Sequence, residues 1–142
     1  MIVVDTSILA RGLRSRSGPS GHIVTMMVLG QIEFAITAPL MFEYETVLKR
    51  PKNMRDTGLA LSEVDDLLDA IVKAGHQTTR TFSYRPQLRD PNDEIVLECA
   101  INASATLIVT GDKDFGREAL RPFSIVSISP GAYVARIEET RR

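Results

Sequence analysis

"IVTGDKDFG", residues 108–116, decides how this chain is read. A β-branched run ends at Thr110, and two acids, Asp112 and Asp114, follow between Gly111 and Gly116. A short apolar run bounded by turn residues is the signature of a strand buried on both faces of a parallel sheet. "MIVVDTS", residues 1–7, has the same build: Ile2 to Val4 are apolar and Asp5 follows at once. In open parallel sheets, ligands bind beyond the carboxyl ends of the strands. Two central strands that each run out into a carboxylate therefore predict an acidic site on one edge of the sheet.

The segments around these two runs alternate in the same sense. "SGHIVTMMVLG" (20–30) has helical spacing and Gly30 to end it, and "IEFAIT" (32–37) reads as a second strand. "PLMFEYETVLKR" (39–50) reads as a helix with Pro39 in its first turn, Lys49 and Arg50 in its last, and Pro51 as its stop. "SEVDDLLDAIVKAG" (62–75) carries Val64, Leu67, Leu68, Ile71 and Val72 on one stripe, with Ser62 as the expected cap and Gly75 at the end. The more polar "QTTRTF" (77–82) suits an edge strand, and "PNDEIVLECAINAS" (91–104) a helix opened by Pro91 or capped by Asn92. "TLIVT" (106–110), "FSIVSI" (123–128) and "PGAYVARIEE" (130–139) predict strand, strand and closing helix. This alternation predicts an α/β domain: three α/β/α layers around a central, mostly parallel sheet of about five strands. With no repeat or linker in sight, residues 1–142 are expected to form a single domain.

Composition narrows the function classes. The chain has 142 residues, 44% hydrophobic and 25% charged, as in an ordinary globular protein. A net charge of −1 means that any nucleic-acid contact must rest on a local basic patch. The single cysteine, Cys99, rules out an internal disulfide framework and a multi-thiolate zinc site, and its apolar surroundings suit a core position. No stretch is long and apolar enough to span a bilayer, and the N-terminal run is too short for a signal peptide, so the cytoplasm is the expected compartment.

Two further acids fall where the same sheet edge would receive them. Glu43 lies in the first turns of the helix after the second strand, among Leu40, Met41, Phe42, Val47 and Leu48. Glu45 competes with it but points about 200° around the helix. Asp93 lies in the first turn of the helix that begins near Pro91. Several carboxylates brought together repel one another unless a cation joins them. Mg²⁺ and Mn²⁺ prefer oxygen ligands, and such an ion acidifies water and offsets charge on a phosphodiester. His22 and His76 lack zinc-motif spacing. Each acid also has a structural reading: Asp93 as a helix-start residue, Asp112 and Asp114 as turn residues, Glu43 as a solvated one. Asp5 fits that reading least, because a carboxylate directly behind a buried strand needs a partner.

In order and spacing these residues resemble the PIN-domain nucleases, in particular the toxins of toxin–antitoxin systems. "VVDTS" is similar to the family's opening strand and D-T-N or D-T-S. "FEYETVLKRP" supplies the glutamate early in a helix, and "RDPNDEIVLECA" the aspartate ahead of an apolar helix. "LIVTGDKDF" resembles the family's apolar–T-x-D-x-D-F segment, and "SPGAYVARI" its closing segment. Ser7 stands where many members have asparagine, and Gly111 where many have arginine or serine. The resemblance implies that Asp5, Glu43, Asp93 and Asp112 are catalytic and hold Mg²⁺ or Mn²⁺, with Asp114 as a further ligand or a turn residue. It implies an endoribonuclease with an RNA substrate, a cognate antitoxin as protein partner and a possible homodimer. Met26, Met27 and the helix 62–75 suit either a dimer interface or the core.

Basic residues next to the Asp5 motif are candidates for the substrate. "ARGLRSRSG" (10–18) reads as a loop whose Arg11, Arg14 and Arg16 would meet phosphates, with Ser7 and Thr110 as nearer polar contacts; its plain alternative is a solvated loop. "KRPKNMR" (49–55) has the same two readings. An aspartyl-phosphate phosphatase would need a second acid where Ser7 stands, and a receiver domain an early acidic pair. The competing reading from another class is a non-catalytic RNA-binding or protein-interaction module on the same fold.

Overall fold

The computed structural model describes residues 1–79, 91–112, 115 and 120–141. In chain order the first half contains β1 (Ile2–Val4), α1 (Thr6–Arg14), α2 (Pro19–Val28), β2 (Ala35–Ile36), α3 (Ala38–Leu48), α4 (Pro51–Thr57) and α5 (Leu61–Ala74). The second half contains β3 (His76–Gln77), α6 (Pro91–Asn102), β4 (Leu107–Val109), a 3-10 turn at Arg121–Phe123, β5 (Val126–Ile128) and α7 (Pro130–Thr140).

β1, β4 and β5 form one parallel ladder in the order β1-β4-β5, with Val3 opposite Ile108 and Ile108 opposite Ser127. β2 and β3 form a second parallel ladder, Ala35 opposite His76. A single parallel bridge between Ile2 and Phe34 joins the two, and the Ile2 amide donates to the Glu33 carbonyl at 3.2 Å. The five strands thus lie in the order β3-β2-β1-β4-β5. Where sequence predicted one sheet of about five strands, the regular ladder counts three and the other two attach through that bridge.

Successive strand residues point to opposite faces, so a strand with both faces covered has no exposed position. Val3 and Val4 are both fully buried, as are Ile108 and Val109. Helices therefore cover both faces, as the α/β/α expectation required. α6 packs against β1, β2 and β4, while α1 packs against α2 and α3. Met26 and Met27 belong to this core, and so does Cys99. Burial pushes the Cys99 thiol up to about 12.

Several local expectations are corrected. "ARGLRSRSG" was expected as a loop, but α1 extends through Arg14. Thr6, Ile8, Leu9, Ala10 and Gly12 are buried on it, and the arginines that made the segment look like a loop occupy the solvent side. Gly12 is required by the α1–α2 crossing: a Cβ there would lie 2.7 Å from the Ser20 carbonyl oxygen. Pro51 was expected to stop a helix. It instead opens α4 at the first-turn position, where its missing N–H costs nothing, and Arg50 before it is extended at φ −61° and ψ 138°. Ser62 does not cap α5. The helix starts one residue earlier, and the Ala60 amide donates to Glu63 Oε1 at 2.9 Å. Phe123, assigned to the last strand, lies in the 3-10 turn. The edge strand expected at 77–82 is observed at His76–Gln77, and its residues 80–82 lie outside the described residues.

Candidate active site

Asp5 is the first residue beyond β1, and its amide donates to the Val109 carbonyl at 2.9 Å, extending the β1–β4 pairing by one step. The Val4–Val109 register places Asp5 beside Thr110. Thr110 Oγ1 donates to Asp5 Oδ2 at 2.7 Å, and Ser7 Oγ donates to the same oxygen at 3.1 Å. Asp5 occupies the N-cap position of α1, yet its side chain makes no capping bond. The commonest structural use of an acid at a helix start is therefore absent here, and the carboxylate is turned to the sheet edge instead. Thr110 Oγ1 also accepts from the Asp112 amide at 3.1 Å. One buried hydroxyl thus ties the Asp5 carboxylate to the backbone of the β4 exit. Asp112 itself is exposed.

α3 approaches the same edge from the side. Tyr44 is fully buried and its hydroxyl donates to the Val4 carbonyl at 2.5 Å, pinning α3 to the last residue of β1. Burial first, and then the nearby Cys99 and Asp5, hold the Tyr44 phenol well above its usual range, so it stays a neutral donor. Glu43, its neighbour, is 8% exposed, and its Oε1 is buried with no hydrogen-bond partner among the described residues. Glu45 points away and accepts from Lys49 Nζ at 3.2 Å. Helix phase thus separates the two acids as the spacing predicted. Asp93 is half-buried in the first turn of α6. Asp114 lies outside the described residues.

Sequence reading missed two acids on α6. Glu94 and Glu98 are 3% and 4% exposed, one turn apart on the same face. The available signal was two acids spaced by four inside the apolar run "EIVLECA".

The arginines separate. Arg11 lies over Gly111, where an added Cβ would meet its Nη1 and Nη2 at 2.8 Å. The Lys52 ammonium, which bonds the Asp56 carboxylate, holds it below its ordinary value, with weaker attraction from Arg14 of α1 and from Arg55. A cavity of about 700 Å³, lined in part by Phe42, Glu45, Leu68 and Val72, contains none of the candidate acids.

Among the described residues no three acidic, histidine or cysteine side chains come together as a ready metal cage. The donor set still suits a hard cation. Asp5 and Glu43 offer oxygen only, and the unpartnered Glu43 Oε1 is a buried acceptor awaiting a positive or hydrogen-bonding group. Mg²⁺ keeps several waters and takes one or two carboxylates rather than an all-protein cage.

The fold described above agrees with the family comparison. The family model for the PIN domain matches residues 1–114, and the chain belongs to that family. PIN domains are generally nucleases, and they typically use divalent metals. No curated protein and no solved structure gives a significant match. No helix among the described residues is long and apolar enough to cross a membrane.

Proposed function

We propose that this PIN domain is a Mg²⁺- or Mn²⁺-dependent endoribonuclease and the toxin of a toxin–antitoxin pair. The observation that supports it best is the pairing at the carboxyl edge: an N-cap aspartate that declines to cap and is fixed by Thr110, with a buried glutamate oxygen left unpartnered one helix away. Asp5 and Glu43 would hold the metal, with Asp112, Asp93 and Asp114 joining directly or through water. Bound there, the ion supplies charge neutralisation on the phosphodiester and a more acidic water.

The chain's own groups set the geometry. Thr110 and Ser7 both donate to Asp5 Oδ2, which holds the carboxylate in one orientation and leaves Oδ1 to ligate or to accept a proton from the attacking water. Tyr44 keeps α3, and with it Glu43, in fixed relation to the end of β1. His22 lies on α2 and His76 in β3, both exposed, so neither stands at Asp5 as a base for attack by a 2′-hydroxyl. Hydrolysis by water, with attack in line at phosphorus and departure of the 3′-oxygen, leaves a 5′-phosphate and a 3′-hydroxyl.

End-group analysis of cleaved RNA, with and without excess EDTA, tests this. The expected result is 5′-phosphate ends and no cleavage in EDTA. Cyclic phosphate ends, or full activity in EDTA, overturn the mechanism. RNA binding with no cleavage at any Mn²⁺ concentration favours the non-catalytic module instead. The cognate antitoxin, a homodimer and a cytoplasmic setting belong to the same proposal. A small reading frame beside this gene, whose product binds the protein on co-expression, is the expected result for the first; its absence removes the toxin reading, and sedimentation tests the second.

A further inference from the structure

Position 111 carries no side chain, and another element fills the space. The Arg11 guanidinium, from α1, lies where a Cβ on Gly111 would go: Nη1 and Nη2 would be 2.8 Å from it and Cζ 3.0 Å. Gly111 sits between Thr110, which bonds Asp5, and Asp112. A cation is thus laid against the short backbone segment that joins the two acids. Next to carboxylates an arginine ordinarily forms a salt bridge, yet Arg11 makes no ion pair or side-chain hydrogen bond among the described residues. Its planar fork keeps its donors while standing beside the acidic edge.

We propose that Arg11 is the residue that grips a backbone phosphate of single-stranded RNA at this site, and that the missing side chain at Gly111 is what admits its guanidinium. The inference rests on the ribonuclease reading and deepens it. A chain with net charge −1 needs a local cation to hold a polyanion beside carboxylates, and a guanidinium with free donors matches two phosphate oxygens at once. Phosphate contacts of this kind fix the register of the strand without reading its bases.

Gly111 makes the proposal testable without touching an acid. Its φ lies outside the left-handed region, so alanine suits the backbone there, and the three atoms nearest to the added methyl belong to the movable end of Arg11. The experiment is anisotropy of a labelled single-stranded RNA in EDTA, across a KCl series, for wild type, Arg11→Gln, Arg11→Lys, Arg14→Gln, Gly111→Ala and the Arg11→Gln/Gly111→Ala double variant. Arg11→Gln should weaken binding about tenfold, as loss of a charge-assisted pair does. It should also reduce the salt slope by about 0.7, the value for one single-strand phosphate contact. Arg11→Lys should restore the slope but not all of the affinity, and Arg14→Gln should change neither. Gly111→Ala should weaken binding in wild type and have no effect in the Arg11→Gln background, because the two changes remove one contact. Equal affinity and slope in wild type and Arg11→Gln overturn the Arg11 assignment alone. No RNA binding by wild type overturns both that assignment and the substrate reading.

Discussion

Glu43 and Glu45 are two residues apart, and the helix gives them opposite circumstances. Glu45 is a surface acid paired with Lys49, itself shared with Asp65 at 2.7 Å, and such exposed pairs are worth little. Glu43 is buried, with one oxygen unpartnered among the described residues. A buried acceptor without a partner costs free energy in the apo protein and becomes useful only when a ligand arrives. Glu43→Gln should therefore leave the denaturation midpoint of the metal-free protein unchanged or raised, while cleavage falls by about a hundredfold or more. Glu45→Gln should leave both within error. A chemical denaturation series in EDTA beside an RNA cleavage assay checks this; loss of activity at position 45 alone would reverse the helix phase. Wild type should bind Mn²⁺ in a calorimetric titration and Asp5→Asn should not, since the change removes the carboxylate that Thr110 and Ser7 orient; equal affinity would remove Asp5 from the metal site.

At the scale of elements, two contacts hold the site's walls together. The Tyr44–Val4 bond joins α3 to β1, and the close crossing at Gly12 joins α1 to α2. Tyr44→Phe keeps the ring packing and removes one buried hydrogen bond, for which about 1 kcal/mol of stability is the expected loss. It should also loosen Glu43 relative to Asp5, so cleavage should fall by more than the stability change accounts for at saturating metal. Gly12→Ala forces a methyl into the Ser20 carbonyl, and overpacking of this kind costs roughly 1–3 kcal/mol. Thermal unfolding of the two variants checks both, and a neutral Gly12→Ala would mean that α1 and α2 separate more readily than their packing indicates.

For the whole molecule, the buried acids that stay protonated set the alkaline limit. Cys99 titrates from 9.0 in an unperturbed chain but only at about 12 in the fold, because burial disfavours the thiolate. The Tyr44 phenol is raised from 10.0 by the same cause. Folding thus holds these protons more tightly. Below pH 9 the contribution is fully present; as pH rises the unfolded chain loses its protons first, and stability falls between about pH 9 and 12. Denaturant midpoints measured from pH 8 to 11 should decline, and the decline should be shallower in Cys99→Ala, whatever that variant loses at pH 8 through its cavity. Parallel slopes would show that Cys99 is not the group responsible.

The amino-acid sequence by itself determined where the strands and the acids lie along the chain. Runs such as Ile2–Val4 and Leu107–Val109 are legible because a strand buried on both faces must be apolar throughout, and Asp5 stands out because nothing apolar explains it. The phase of Glu43 against Glu45 was legible for a similar reason, the fixed turn of the helix. Tertiary structure decided what local pattern could not carry. Arginines on the solvent side disguised α1 as a loop, and Pro51 reads alike as a stop for one helix or the start of the next. Beside the local Ser7, Asp5 takes its shorter hydrogen bond from Thr110, 105 residues away, through a register that only strand pairing sets. Arg11 reached Gly111 for the same reason: a glycine's empty space has no meaning until another element is folded against it.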